Sequence, residues 1–203
     1  MEQPLDRRLD GIQLLADLPQ AELRRLEQSC AWHVCSAGAR LFERNDASRD
    51  VYLVVRGCIR IVNHAVTGRA IAYSTQEAGS YFGELAAVDG EPRAASAIAI
   101  ERSVVALMMA ETFNELLLKY PPLMRKVMSR LARIIRISDE RIMDLSTLGA
   151  MQRINVELLR LAKPDPLQAN SWIIHPMPAA KLIAVRAAKS SWEGILTASN
   201  ILS

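Results

Sequence analysis

Between Trp32 and Met109 the chain never sustains a helical period. Short segments rich in Val, Ile, Leu and Tyr, at 39–43, 51–56, 58–63, 69–75, 95–100 and 103–109, alternate with turn residues, and glycines at 38, 57, 68, 79, 83 and 90 fall between or beside them. Many short strands with turn signals at close, regular spacing predict an all-β sandwich or barrel. From Ala110 onward the period turns helical and stays so. Strands followed by a run of helices predict an α+β chain, with an antiparallel jelly-roll flanked by helices.

The helical parts can be bounded by their start and stop signals. Residues 9–18 form an apolar lead-in, and Leu18-Pro-Gln-Ala-Glu22 starts a helix with Leu23, Leu26 and Cys30 on one face. A short helix is expected at 111–119, broken by Tyr120-Pro-Pro122. A long helix then begins at Leu123. Met124, Leu131, Ser138 and Leu145 recur every seven residues, and Val127, Ile134, Arg141 and Leu148 follow three later. A heptad sustained this long predicts a coiled-coil seam, most simply a homodimer, with a long helix packed on its own domain as the alternative. Ser138, Asp139 and Arg141 interrupt the seam, and buried polar groups of this kind can fix register. Gly149 interrupts the stripe and marks a hinge at 147–149. A further amphipathic helix at 151–163 ends at Pro164 and Pro166.

Composition narrows the function classes. Half of the 203 residues are apolar, enough for a sizeable core. The net charge of +3 comes from a basic excess after Gly149, compatible with a nucleic-acid partner. No apolar run suits a bilayer span and the first residues lack a signal-peptide core, so a cytoplasmic protein is expected. Cys30, Cys35 and Cys58 show no metal spacing and are expected to be reduced, structural thiols. His33, His64 and His175 stand singly, which argues against a metal-dependent jelly-roll enzyme and predicts no metal.

The chemistry concentrates in Gly79–Ala97. Phe82-Gly-Glu-Leu-Ala86 reads as a turn entering one short helix, whose free N–H groups near Gly83, Glu84 and Leu85 can face an anion. Arg93 offers a planar fork of donors to a phosphate. Glu84, an acceptor only, suits ligand hydroxyls. Together they read as a holder for a ribose phosphate, the plain alternative being an ordinary surface ion pair. No nucleophile–base pair is evident, so a catalytic role for Glu84 is the weakest reading and no enzyme is expected.

This stretch, with Asp50-Val-Tyr-Leu-Val-Val-Arg-Gly57 and the Gly38-Ala-Arg-Leu-Phe42 run, resembles the cyclic-nucleotide-binding domains of the catabolite-activator (CRP/FNR) family of transcription regulators. The resemblance implies that Glu84 takes the ribose 2′-hydroxyl, that Arg93 takes the cyclic phosphate with the amides of 83–85, and that Ala94 lies beside the phosphate. Ala94 offers a guanine amino group no hydrogen bond, so cAMP is favoured over cGMP as effector. In such relatives the part of the dimer helix matching Ser138 and Asp139 touches the base. Arg153–Ala162 and Trp172–His175 resemble the first helix and strand of the family's winged helix-turn-helix domain. After Pro178 the pattern fails: Gly194 and Trp192 fall where a recognition helix should run, and the Arg-Glu-x-x-x-Arg run is missing. A shifted reading frame, a truncation or a divergent domain each account for this.

The resulting expectation is three parts: a nucleotide-binding β-roll at 1–120, a dimerisation helix and hinge at 121–149, and a partial winged-helix DNA-binding domain at 150–203. The expected function is a dimeric, cAMP-responsive transcription regulator. The alternative is a nucleotide-sensing dimer that has lost DNA binding and acts through protein contacts.

Overall fold

The computed structural model describes residues 7–64, 70–164 and 171–174. In chain order it contains α1 (Gln20–Ser29), β1 (Ala31–Cys35), β2 (Arg40–Phe42), β3 (Val51–Arg56), β4 (Cys58–His64), β5 (Ala70–Glu77), β6 (Tyr81–Phe82), α2 (Glu84–Asp89), β7 (Ser96–Ala99), β8 (Ser103–Met108), α3 (Ala110–Lys119), α4 (Pro121–Thr147), α5 (Ala150–Leu161), β9 (Lys163–Pro164) and β10 (Trp172–Ile173). The chain divides into two compact units, Met1–Leu131 and Ala132–Ser203.

The first unit contains the expected roll. Two four-stranded antiparallel sheets, ordered β1-β8-β3-β6 and β2-β7-β4-β5, supply its layers. Alternation along β3 shows how the layers are held. Tyr52 and Val54 enter a core with Phe42, Ile59, Phe82, Ala97, Ala99 and Val105, drawn from both sheets. Val51 and Leu53 point the other way, into a second core built with Leu15, Leu26, Phe113 and Leu123 from the helical segments. A strand buried on both faces reads as a continuous apolar run, which Val51–Val55 is. Gly57 turns β3 into β4 at φ 87°, and a Cβ there would lie 2.7 Å from Ser103 Cα, so only glycine fits.

The helices close the second core. The lead-in 9–18 is a buried strap, with Leu9, Ile12, Leu14, Leu15 and Leu18 all inside. Glu22 on α1 accepts from Lys119 Nζ at 2.6 Å and from Tyr120 Oη at 2.8 Å, pinning α1 to the α3–α4 corner. These donors and the nearby Arg25 hold the Glu22 carboxyl below its ordinary value against the opposing cost of burial, and the same contact raises Lys119. The long helix starts at Pro121, two residues before the expected Leu123. Proline in a first turn gives up an N–H that has no helical partner there, so the two prolines open α4 rather than precede it.

In the second unit, α4 ends at Thr147 and α5 begins at Ala150, so the helix breaks where the hinge is expected. Gly149 N–H is capped by Gln152 Oε1 at 2.8 Å. Its φ of −67° is open to any residue, so the break does not depend on glycine. Arg160 on α5 reaches Asp144 at 2.8 Å and Glu140 at 3.5 Å on α4, and Glu157 at 3.7 Å on its own helix. Trp172 and Ile173 pair with Pro164 and Lys163, a two-residue ladder where the first strand of the C-terminal domain is expected. The segment after Pro178, where the family pattern fails, lies outside the described residues, as does His175.

Candidate functional site

The cassette hangs from the end of β6. Gly83 adopts φ 85° as the N-cap of α2, and Gly90 closes that six-residue helix at φ 76°. A Cβ on Gly83 would sit 2.8 Å from Arg93 Nη1 and 3.0 Å from the Asp50 carbonyl oxygen. Glycine is therefore required twice, for the left-handed turn and for the approach of the guanidinium.

Arg93 is only 2 % exposed. Its Nε donates to Ser48 Oγ at 3.1 Å, Nη1 to the Gly83 carbonyl at 3.0 Å and Nη2 to the Asp50 carbonyl at 2.8 Å. The guanidinium lies 4.2 Å from the ring centroid of Phe42, which packs with the stacked pair Tyr52 and Phe82. The backbone is held as well, for Arg93 N–H donates to the Asp46 carbonyl and the Arg93 carbonyl accepts from Asn45 N–H, both at 2.9 Å. Burial pulls the guanidinium below its ordinary pKa, opposed by the nearby Tyr52, Asp50, Asp46 and Glu84. It stays a cation, since so high a starting value leaves a wide margin at neutral pH. Three of its five N–H groups are thus used internally, and Arg93 ties the 45–50 loop to the start of α2.

Glu84, the first residue of α2, is also buried, at 5 % exposure. Its Oε1 lies 3.6 Å from Arg130 Nε. Arg130, on the part of α4 that belongs to the first unit, stacks 4.2 Å from the Tyr81 ring centroid and donates from Nη2 to Gln76 Oε1 at 3.2 Å. Leu85 and Ala94, which flank the two charged residues, are exposed. The structure therefore gathers Gly83, Glu84, Leu85, Arg93 and Ala94 around one loop. Ser138 and Asp139 belong to the second unit, both exposed, with Ser138 Oγ donating to the Ile134 carbonyl of its own helix at 2.9 Å. Arg130 escapes a reading of the sequence alone, because it falls off the heptad positions and looks like any solvated arginine.

Among the described residues no three His, Cys, Asp or Glu side chains cluster as a metal site, and no helix is long and apolar enough to cross a membrane. What the loop offers is a buried carboxylate acceptor and a buried guanidinium donor at its two ends, below an exposed rim of small and apolar side chains. A charge removed from water needs partners, so such a pair is maintained only where partners of fixed geometry are supplied.

Comparison with known proteins gives this loop its class. Residues 32–120 match the family model described as a cyclic nucleotide-binding domain. The chain thus carries a cyclic nucleotide-binding domain over that segment, the fold of two antiparallel sheets with flanking helices described above, and its homologues include regulators of the CRP/FNR type as well as NTE family proteins. One relative, the cyclic AMP receptor protein of Thermus thermophilus, is 28 % identical over 126 residues, 62 % of this chain and 58 % of that protein, so the match spans a little over half of the relative's length. The crystal structure of the Thermus thermophilus catabolite activator protein superposes with a TM-score of 0.60 at 22 % identity, over 93 % of this chain and 85 % of that one. The c-di-GMP responsive global regulator CLP of Xanthomonas campestris shares the fold at a TM-score of 0.69 and 15 % identity, over 90 % and 92 % of the two chains.

Proposed function

We propose that this chain is a cAMP-responsive, dimeric transcription regulator acting in the cytoplasm. The observation that carries the reading is the pairing of buried Glu84 and Arg93 at the two ends of one loop, inside a cyclic nucleotide-binding domain. A ribose hydroxyl donates to Glu84, and the cyclic phosphate accepts from the Arg93 N–H groups left over and from the amides of 83–85. Ala94, exposed beside Arg93, gives guanine no partner, which favours adenine. The name of the Thermus relative supports cAMP, while CLP, on the same fold, is described as responsive to c-di-GMP.

Dimerisation runs along α4. Ile134, Ile135, Ile142, Met143 and Leu145 are exposed large hydrophobic residues on this helix, and a second copy of it is the partner that the heptad suits. Ser138 and Asp139 then lie at the seam and meet the nucleotide base. The division into a nucleotide domain at 1–120, a dimer helix and hinge at 121–149 and a DNA-binding part at 150–203 accords with the same reading. Ligand occupancy acts through α4 on the DNA-binding part.

Calorimetric titration of cAMP and cGMP into the full chain tests the ligand. Saturable cAMP binding with weaker cGMP binding supports the reading, and no binding of either removes it. Because Arg93 also holds the loop together, the control is Arg93→Lys with its thermal melt recorded alongside. DNA binding is tested separately by probe retardation at rising salt, where a regulator loses affinity steeply as counterions compete for phosphates. A salt-independent or absent shift favours the sensing module that acts through protein contacts.

A further inference from the structure

The two guanidiniums at the cassette are held in different ways. Arg93 is locked by three internal hydrogen bonds and an aromatic face. Arg130 meets Glu84 at 3.6 Å, beyond hydrogen-bond range, and keeps 18 % of its side chain exposed. Its other contacts, the Tyr81 ring on β6 and Gln76 on β5, hold the guanidinium without using up Glu84.

We propose that Arg130 is a specificity-determining gate: it neutralises Glu84 in the unliganded protein, and the sugar hydroxyl of the nucleotide displaces it. This rests on the cyclic-nucleotide reading of the cassette. Glu84 needs a partner in either state, since an unpaired buried carboxylate is costly. A hydroxyl donating to a carboxylate approaches to about 2.5–2.7 Å, a tighter contact than the present ion pair. The exchange therefore leaves Glu84 satisfied before and after, and what changes is Arg130. Arg130 belongs to α4, one residue before the first unit ends at Leu131. The presence of a ribose hydroxyl is thereby registered on the helix itself, and a nucleotide lacking that hydroxyl binds without releasing it.

The test is calorimetric titration of cAMP and of its 2′-deoxy analogue into the full chain and into Arg130→Gln and Arg130→Lys, each checked by thermal melt. With the gate weakened, Arg130→Gln binds cAMP about threefold to tenfold tighter while 2′-deoxy-cAMP changes by less than about twofold, and Arg130→Lys falls between. Equal changes for both ligands, or weaker cAMP binding in a folded Arg130→Gln, reduce Arg130 to a packing role and overturn the proposal while leaving the cassette reading intact. Absence of binding in every folded variant overturns the cassette reading, and the gate with it.

Discussion

At the level of single residues, Gly83 and Arg93 form one device. Gly83→Ala forces a left-handed φ on alanine and drives its methyl into a backbone carbonyl, so urea denaturation is expected to show a loss of about 1–3 kcal/mol. Arg93→Ala leaves two part-buried carbonyls without their donor, and a buried group so orphaned costs at most about 1–3 kcal/mol, so its melt falls whether or not ligand is present. Glu22 gives a pH signature. Its carboxyl is held below the ordinary value of 4.5, so its contribution is present above that value and is lost as pH falls through the lowered one. Lys119, raised above 10.5 by the same contact, contributes below that value and loses its share as pH rises through the raised one. In Glu22→Gln the acid limb of a stability–pH profile is expected to flatten. The thiols are quiet for a related reason. Burial pushes Cys30 up to about 11 and raises Cys35 and Cys58, so at pH 8 all three should alkylate slowly in the folded protein and fast in urea, as mass spectrometry can follow.

At the level of elements, the sharpest contrast is between Gly83 and Gly149. Gly149→Ala meets only the movable end of Gln152, at 3.5 Å, in a conformation alanine adopts freely. Its melt is expected to match the parent. The same elements show what the sequence disclosed. β3 and the Gly57 turn were legible because an apolar run followed by a glycine has few other readings, and the structure puts β3 at Val51–Arg56 as expected. β1 was not, because Ala31–Cys35 lies largely open to solvent and lacks the alternation that announces a half-buried strand. β6 is two residues long and carries no period at all. The cassette's two charged residues stood out by residue type and by the resemblance of their stretch, and both are buried. Their partners were not legible, since Arg93 bonds to backbone carbonyls that any sequence supplies, and Arg130 arrives from a helix 46 positions after Glu84. Ile135→Glu tests the exposed face of α4: if a second copy covers it, sedimentation should show dimer affinity weakened about tenfold or more.

At the level of the whole molecule, among the described residues the cores around β3 draw only on positions up to Leu131. A fragment of residues 1–131 is therefore expected to unfold in one cooperative transition, and a broad, non-cooperative melt would show that the roll depends on residues beyond Leu131. In the second unit Arg160 ties α5 to α4 through Asp144 and Glu140, which lie one turn apart. Part-exposed charges of this kind are screened by salt, so this contact weakens as ionic strength rises while the roll, held by apolar burial, does not.

The way Arg93 is fixed has a consequence for how such a site can change over generations. Two of its three acceptors are main-chain oxygens, of Gly83 and Asp50, and a main-chain oxygen survives any substitution at its own position that keeps the backbone in place. Asp50 is thus free to drift in side-chain identity without dislodging the cation, whereas Gly83 is held by its own backbone turn and the closeness of the guanidinium. Paired substitutions, the usual trace that two positions touch, will not accumulate between Arg93 and Asp50. An engineer wishing to retune ligand preference can therefore vary the exposed rim at Leu85 and Ala94 extensively while the buried charge stays in register.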